Sequence, residues 1–329
     1  MTERPVTVEP GDIGPVELLL TTSVARRFYL ESRSKVQIAE EFGISRFKVA
    51  RLLDSARAAG LVRIEIGRPA GVDVELSDRL RTAFGLRTAV VSDVSGQTDQ
   101  ELREHVGALA ARLLGEVVEE GDVLGVAWGR SLQRMSARLT VLPRCTVVQL
   151  CGAVPQPDVE DHSLELTRRA AQAGGGTAVT FYAPLVMPDA SSAAALRSHS
   201  DVAKAMDRCG ELTSAVVSVG GWAPGTSTVY DVLEPAERTV FADRGAVAEI
   251  CGILLDVHGR PIDDGLQSRA VGVTYEQLHR TPDVVALAYG AGKAAAVRSA
   301  LRGGLITTLV TDAALAGELL EEKDCPVGR

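Results

Sequence analysis

The stretch QIAEEFGISRFKVARLL, residues 37–53, decides the fold of the amino-terminal part of the chain. Ile38 and Phe42 recur at the spacing of one helix face, and Gly43 supplies the left-handed backbone that a tight turn between helices requires. Ser45 is placed to cap the helix that follows. The stretch therefore predicts two steeply crossing helices joined by a short turn.

The second of these helices has two distinct faces. The aliphatic residues that repeat at helical spacing and should pack inward are Val49, Leu52, Leu53 and Ala56. The outer face carries Arg46, Phe47, Lys48 and Arg51. This is the helix-turn-helix arrangement, whose second helix enters the DNA major groove. Cationic side chains bind phosphates or guanine, and Phe47 can contact a thymine methyl group. The predicted DNA-binding residues are Gln37, Ser45, Arg46, Phe47, Lys48 and Arg51.

Two other interpretations of this module stay open. It could be a solvated helical hairpin, or a head that contacts only protein. The register of turn glycine, cap and inward aliphatic residues favours DNA over the first, and the basic outer face favours it over the second. Arg57 and Arg63 are phosphate contacts or plain surface.

The charge is divided unevenly along the 329 residues. The net charge is −8, but residues 24–63 hold nine Lys and Arg against four acids, which gives +5. The remainder of the chain must then carry −13. A small basic module attached to an acidic body indicates two separate tasks.

The pattern predicts two domains. Residues 1–68 form the helix-turn-helix domain, and LVRIEIG (61–67) alternates like a short strand, which makes the domain winged-helix-like. GRPAG (67–71) has the composition of a linker. Residues 72–329 form the second domain, with the first dozen residues and the tail EEKDCPVGR expected to be frayed.

In the second domain, short apolar runs end in glycine-rich turns and lead into helical segments. Examples are GDVLGVAWG, CTVVQLCGAV and DVVALAYGAGK. Strands that alternate with helices form a mainly parallel sheet, and runs that are apolar on both faces indicate helices on both sides. The predicted fold class is therefore α/β.

Composition excludes several protein classes. No apolar stretch approaches 18 residues, which argues against a membrane span, and the amino terminus lacks an apolar signal core. The five cysteines are scattered without CxxC spacing, which predicts a reduced, cytoplasmic protein without a metal or cofactor.

Two glycine turns are candidate anion sites. Gly129, Arg130 and Ser131 follow the strand GDVLGVAW and open a helix, where free backbone N–H groups, a cation and a hydroxyl come together. Lys293 follows the strand DVVALAY at the next helix start, where the helix dipole disfavours a cation unless an anion binds. A solvated lysine is the alternative there.

Three further features lie between these turns. Glu249 is embedded among apolar residues, so it should be partnered or face a ligand, and it could accept hydrogen bonds from sugar hydroxyls. Gly221 precedes Trp222, which either lines a pocket or covers the core. His258 is interpreted as a hairpin-turn residue.

These motifs together resemble the SorC-type (SorC/DeoR) family of sugar-responsive bacterial transcription regulators. The resemblance runs in order from about residue 18 to about 320, through the helix-turn-helix and the segments GDVLGVAWGRSL, VVQLCGAV, GAVAEICGILLDVHGRPID and VVALAYGAGKAAAVRSALRGGLITTLVTD. Each motif alone is weakly specific, whereas the ordered set is highly specific.

The resemblance implies an operator-binding head and a second domain with a sugar-phosphate isomerase or deaminase fold that lacks catalysis. It also implies a phosphorylated sugar as effector, self-association as a dimer or tetramer, and repression relieved by ligand, although activation would use the same parts. The effector residues that it implies are Gly129, Arg130, Ser131, Cys151, Gly152, Glu249 and Lys293, and Gly221 is a further candidate from the glycine pair before Trp222.

Two departures from the family pattern affect this site. Arg130 stands where phosphate-binding members often have a hydroxyl residue, and Cys151 stands where some members have a basic residue. Capture of the sugar as an imine is therefore not available at Cys151, and an unphosphorylated effector stays open. The alternative function is a sugar-phosphate isomerase with a DNA-binding head, which would use Glu249 as its base.

Overall fold

The computed structural model describes residues 14–65, 67, 70–94, 98–154, 163–262 and 266–321. Its contacts divide the chain into two compact units, Met1–Gly67 and Arg68–Arg329. The predicted frayed ends, apart from Glu321, and part of the predicted linker lie outside the described residues. Among the described residues, no helix is long and apolar enough to cross a membrane.

The first unit contains three helices: α1 (Pro15–Tyr29), α2 (Lys35–Phe42) and α3 (Arg46–Ala58). They enclose a small core with buried residues from all three helices, namely Val24, Ala25, Ile38, Val49, Leu52, Leu53 and Ala56. The predicted inward face of α3 is therefore confirmed. Gly43 ends α2 in the left-handed conformation, with a φ of 64°, as the sequence predicts.

The predicted strand at residues 61–67 is wrong for the residues that are described there. Residues 61–65 and 67 form no strand, and Ile66 lies outside the described residues. A strand needs a neighbour for its backbone hydrogen bonds, and residues 14–65 contain no other strand to provide one. The alternating pattern therefore lacks the pairing that a wing requires.

The second unit is built on a seven-stranded parallel sheet, as predicted. Its strands are β1 (Thr88–Ser92), β2 (Val123–Val126), β3 (Thr146–Gln149), β4 (Thr177–Val179), β5 (Ser214–Ser218), β9 (Asp283–Leu287) and β10 (Thr308–Asp312). The spatial order is β1-β10-β9-β5-β2-β3-β4. Strand order reverses between β2 and β5, and the carboxyl ends of strands at such a switch point form a crevice for ligands.

A small antiparallel sheet lies outside the main one. It contains β6 (Gly220–Gly221), β7 (Ala248–Ile250) and β8 (Ile253–Leu255) in the order β6-β7-β8. Gly220 pairs with Glu249, so this sheet brings the segment after β5 beside the glutamate. The turn after β8 contains His258, as the sequence predicts.

Helices cover the sheet and fill the connections. They are α4 (Val74–Phe84), α5 (Asp99–Val117), α6 (Arg130–Arg138), α7 (Ser163–Ala173), α8 (Ala190–Arg197), α9 (Ser200–Arg208), α10 (Thr228–Val232), α11 (Pro235–Asp243), α12 (Leu266–Arg269), α13 (Tyr275–Arg280), α14 (Ala294–Arg302) and α15 (Ala313–Glu321). The described strands β2, β5, β9 and β10 are almost entirely buried, as expected for a sheet covered on both faces.

One backbone crossing depends on two glycines. Gly259 has a φ of 78° in the turn after β8, and a Cβ atom there would overlap the backbone of Gly303 and Ser299. A Cβ atom on Gly303 would overlap the carbonyl of Gly259 in turn. Only residues without side chains allow this turn to pack against the end of α14.

Candidate functional site

The exposed face of α3 carries a row of cations. Arg46, Phe47, Lys48 and Arg51 are all exposed, and Phe47 retains 74% of its accessible surface. No described residue forms a salt bridge with the three cations, and the Arg46 guanidinium lies 5.5 Å from the centre of the Phe47 ring. A basic face held rigidly by a buried inner face can present its charges to a polyanion.

Ser45 and Gln37 both take part in helix capping. Ser45 precedes α3, and its Oγ accepts a hydrogen bond of 3.1 Å from the Lys48 backbone N–H, so the predicted cap is confirmed. Gln37 belongs to a capping box on α2, in which its Oε1 accepts from the Ser34 N–H at 3.0 Å. The remaining side-chain NH₂ group of Gln37 is not used by this cap.

A cavity of about 550 Å³, counted to its open mouth, lies at the carboxyl ends of neighbouring strands. Residues that follow four adjacent strands of the sheet line it: Gly129 after β2, Cys151 after β3, Val219 after β5 and Tyr289 after β9. The cavity therefore occupies the crevice at the switch between β2 and β5. We refer to it below as the carboxyl-end cavity.

Most of the residues that the sequence implicates in ligand binding meet here. Gly129, Arg130, Ser131, Cys151, Glu249 and Lys293 all line the carboxyl-end cavity. Gly152 and Gly221 are not among its lining residues. Gly152 packs against the backbone of Pro184 and donates to the Val271 carbonyl at 2.9 Å, whereas Gly221 lies in β6. Both glycines are used in backbone packing beside the cavity.

Several lining residues were missed by the sequence reasoning. Hydroxyl groups come from Ser218, Thr226, Ser227 and Thr228, and an aromatic wall comes from Tyr289. The run GTSTV that follows Gly220 and Gly221 is the signal that could have indicated the hydroxyl groups. Trp222 does not line the cavity, because its indole N–H donates to the Arg238 carbonyl and its ring packs on Tyr230 and Phe241.

The two cations of the cavity are held by backbone carbonyls. Lys293 Nζ donates to the Val219 carbonyl at 2.9 Å, and Arg130 Nη2 donates to the Gly225 carbonyl at 2.7 Å. Neither cation forms a salt bridge with a described carboxylate. Burial, followed by the charge of Arg130, lowers the pKa of Lys293 to about 8. The site therefore holds positive charge that a small anion could neutralise.

Glu249 is a buried carboxyl group with two hydrogen-bond donors. Its Oε1 accepts from the Gly252 N–H at 2.6 Å, and its Oε2 accepts from the Ser227 hydroxyl at 3.0 Å. Burial raises the pKa of Glu249, although these two hydrogen bonds and the charge of Lys293 act in the opposite direction. The carboxyl group lies in the wall of the cavity, where its oxygens can also accept hydrogen bonds from a polyol.

Cys251 occupies a strained position in the wall of the cavity. It has a φ of 53° in the turn between β7 and β8, a conformation that side-chain-bearing residues rarely adopt. A hydrogen bond with the Cys151 thiol, followed by burial, raises the pKa of Cys251 well above its ordinary value. The Cys251 thiol therefore stays protonated at neutral pH and presents a neutral surface.

Helix α6 begins at the same place. Gly129 is its first flanking residue, and Arg130 and Ser131 occupy its first turn. Because the first N–H groups of a helix lack partners within it and lie at the positive end of its dipole, this end of α6 favours an anion. The predicted glycine-turn geometry is therefore confirmed, while the ligand that occupies it is a separate question.

Comparison with known proteins identifies the family. Residues 68–321 match the family described as "Putative sugar-binding domain". A transcriptional regulator of Escherichia coli (strain K12), YjhU, is 30% identical over 302 residues, which cover 89% of this chain and 92% of the relative. The transcriptional regulator LsrR of Klebsiella pneumoniae is 29% identical over 332 residues, which cover 97% of this chain and 99% of the relative.

The fold is also found among solved structures. The full-length sorbitol operon regulator SorC from Klebsiella pneumoniae aligns with a TM-score of 0.71, covering 93% of this chain and all of that one, at 23% identity. The relatives are named as regulators and not as enzymes, so the isomerase alternative is set aside. The chain therefore belongs to the family of transcriptional regulators that carry this sugar-binding domain.

Proposed function

We propose that the exposed face of α3 reads operator DNA and that the carboxyl-end cavity binds a phosphorylated sugar that controls this binding. Arg46, Phe47, Lys48 and Arg51 contact the groove, while Ser45 and Gln37 contact phosphates at its edge. Linkage couples the two sites, because an effector that prefers one arrangement of the protein shifts its affinity for DNA.

One observation carries the assignment of a phosphoryl group. Arg130 and Lys293 bring two cations into one cavity beside the start of α6, where each donates to a backbone carbonyl and neither forms a salt bridge with a described carboxylate. A phosphoryl dianion would replace those carbonyls with charge-assisted hydrogen bonds, which are about twice as strong as neutral ones. The hydroxyl groups of the cavity and the carboxyl group of Glu249 then bind the sugar.

The mode of regulation is also part of the proposal. Related chains include a sorbitol operon regulator of Klebsiella pneumoniae and a deoxyribonucleoside regulator of Bacillus subtilis, which are 24% identical to this one. We infer a repressor that acts in the cytoplasm as a dimer or tetramer and leaves its operator when the sugar phosphate binds. Sedimentation at working concentration tests the assembly, and a monomer would contradict it.

A thermal-shift experiment tests the effector. The full-length protein is heated with paired panels of free and phosphorylated pentoses and hexoses, because a ligand that binds the folded state raises the melting temperature. We expect a rise with one phosphorylated sugar and none with its free form. A rise with free polyols alone, or with no sugar, would refute the phosphoryl assignment.

The DNA site is tested by selection. Fragments that bind the full-length protein are enriched from a random duplex library, and the winning sequence is then measured with and without the sugar phosphate. We expect a sequence-specific complex that weakens when the sugar phosphate is added. A complex that the sugar phosphate strengthens would indicate an activator or a corepressor arrangement instead.

A further inference from the structure

The aromatic wall of the carboxyl-end cavity connects two cations. Tyr289 follows β9 and lines the cavity, and its ring centre lies 5.3 Å from Lys293 Nζ. The same ring centre lies 5.6 Å from the guanidinium carbon of Arg103 on α5. Arg103 is not among the residues that line the cavity, but its guanidinium lies beside a ring that does, and its charge acts on Lys293.

The tyrosine hydroxyl is fixed by this arginine. Arg103 Nε donates to the Tyr289 hydroxyl oxygen at 2.6 Å. A phenol that accepts from a cation keeps its own proton for another acceptor, and its O–H becomes a stronger donor. No described residue accepts that proton, and Tyr289 lines the cavity. The hydroxyl proton is therefore available to a bound ligand.

The charge of Arg103 is only loosely compensated. Its nearest described carboxylate is Asp99, at 3.8 Å and one helical turn earlier, and that side chain keeps 79% of its accessible surface. The side chain of Arg103 retains only 24%. Water screens the exposed carboxylate more than it screens the shielded guanidinium. Positive potential therefore remains on the Tyr289 side.

Four charged groups of the described residues act on the pKa of Lys293. Arg103 and Asp99 act from α5, Arg130 from α6 and Glu249 from β7. Both arginines favour the neutral amine, and both acids favour the ammonium form. Removal of Arg103 must therefore make protonation of Lys293 easier, even as it removes attraction for an anion.

We propose that Arg103 is a positioning residue of the effector site: it orients the Tyr289 hydroxyl as a donor to the anionic group bound by Lys293 and adds a third positive charge to the site. This inference rests on the proposed sugar-phosphate function. The inference predicts that the bound ligand group carries two negative charges, because one negative charge would leave most of the site's positive potential uncompensated.

The test uses full-length protein and isothermal titration calorimetry between pH 7.0 and 9.5. The probe is the pentose 5-phosphate or hexose 6-phosphate that binds the unmodified protein most tightly. A phosphate monoester has its second pKa near 6, so it stays a dianion throughout this range and only protein groups titrate. Affinity of the unmodified protein should fall as the pH rises through about 8, where Lys293 loses its proton.

Arg103→Gln should change this profile in two opposite ways. Affinity at pH 7.0 should fall about fivefold, because one attractive charge is lost across a partly screened distance. The alkaline decline should move to higher pH, because Lys293 now holds its proton more tightly. A change that merely loosened the fold would lower affinity without moving the decline upward.

Three further variants separate charge from hydrogen bonding. Arg103→Lys keeps the charge, so the fall in its effector affinity at alkaline pH should begin at the same pH as in the unmodified protein. Tyr289→Phe removes only the hydroxyl and should cost about fivefold in affinity at every pH. Arg138→Gln is the control. Arg138 lies on α6 and pairs with Glu104, a residue of the same helix as Arg103, so its loss should leave the pH profile unchanged.

The outcomes distinguish the two proposals. If no sugar phosphate binds, or if Lys293→Met binds it as tightly as the unmodified protein does, the proposed function fails and this inference falls with it. If binding depends on Lys293 but Arg103→Gln matches the unmodified protein at every pH, only the role of Arg103 is refuted.

Discussion

Two groups of cations serve different purposes in this chain. The row on α3 is exposed, has no salt-bridge partners among the described residues and is backed by a small aliphatic core. The pair in the carboxyl-end cavity is partly buried and held by the backbone carbonyls of Val219 and Gly225. The first group suits an extended polyanion, and the second suits one small anion.

The difference predicts how each site responds to salt. Exposed cations that neutralise DNA phosphates release counterions, so the binding constant falls steeply as salt increases. Cations inside a cavity are screened much less. A regulator built this way can keep its effector affinity nearly constant while its DNA affinity varies with ionic strength.

The largest expected effect comes from removal of the exposed cations together. The triple variant Arg46→Ala, Lys48→Ala and Arg51→Ala should lose about 10³-fold in DNA affinity and reduce the logarithmic salt slope by about 3. Fluorescence anisotropy on the selected DNA at several salt concentrations measures both quantities. Effector affinity should not change.

Arg81→Ala is the matched control for this triple variant. Arg81 is a half-exposed cation on α4 that pairs with Asp78, so its loss changes the net charge without touching α3. If each exposed cation contributes equally, one third of the triple variant's loss in DNA-binding free energy belongs to each of them. If Arg81→Ala loses that much DNA-binding free energy, the exposed row has no special role.

Loss of the Lys293 cation should weaken effector binding and leave DNA binding unchanged. Lys293→Met should weaken sugar-phosphate binding about 30-fold, because a hydrogen bond to a charged group contributes about 2 kcal/mol. Binding to DNA without effector should stay as it is. Calorimetry with the sugar phosphate measures the loss, and Lys204→Met on exposed α9 is the control. Equal losses in both variants would mean that only net charge matters.

The pH dependence of the two sites should also differ. Affinity for the sugar phosphate should fall by up to tenfold per pH unit above about 8, because the ammonium form of Lys293 is lost there. Below that pH the ammonium form is complete and affinity should level off. Anisotropy should show no such decline for DNA, because arginine does not titrate in this range. A decline that survives in Lys293→Met would belong to another group.

The smallest effect concerns the cap of α3. Ser45→Ala removes the acceptor for the Lys48 N–H and should destabilise the first turn of α3 by about 1 kcal/mol. DNA affinity should fall about fivefold at most. Hydrogen exchange of the first amides of α3 measures the fraying. Ser45→Asn restores a cap, so it should recover both the slow exchange and the DNA affinity of the unmodified protein. Unchanged exchange in the alanine variant would contradict the role of the cap.

The parts that sequence predicted best are those fixed by local chemistry. Helix spacing, the turn glycine Gly43 and the cap Ser45 act over a few residues, so one sequence determines them. The alternation of strands and helices likewise predicted the parallel sheet. The strand at residues 61–67 failed because a strand depends on a partner elsewhere in space, and periodicity alone does not supply that partner.

The cavity was only partly predictable for the same reason. Gly129 and Lys293 follow strands, which places them at the carboxyl edge whatever the strand order. Tyr289 follows β9 in the same way, and the run GTSTV carries the hydroxyl groups, but the approach of Ser227 to Glu249 depends on the pairing of the small sheet, which no local pattern reveals. Arg103 lies further still, on a helix that precedes β2 in sequence, and its role depends entirely on a packing contact.

The crossing of Gly259 and Gly303 has an evolutionary consequence. Because each glycine excludes a side chain on the other, no single replacement at either position can be accepted without moving the backbone of its partner. Selection should therefore hold the two positions fixed together across the 43 residues that separate them. A relative that lacks one of these glycines would need a different turn after β8, and a change in the length of that turn would identify it.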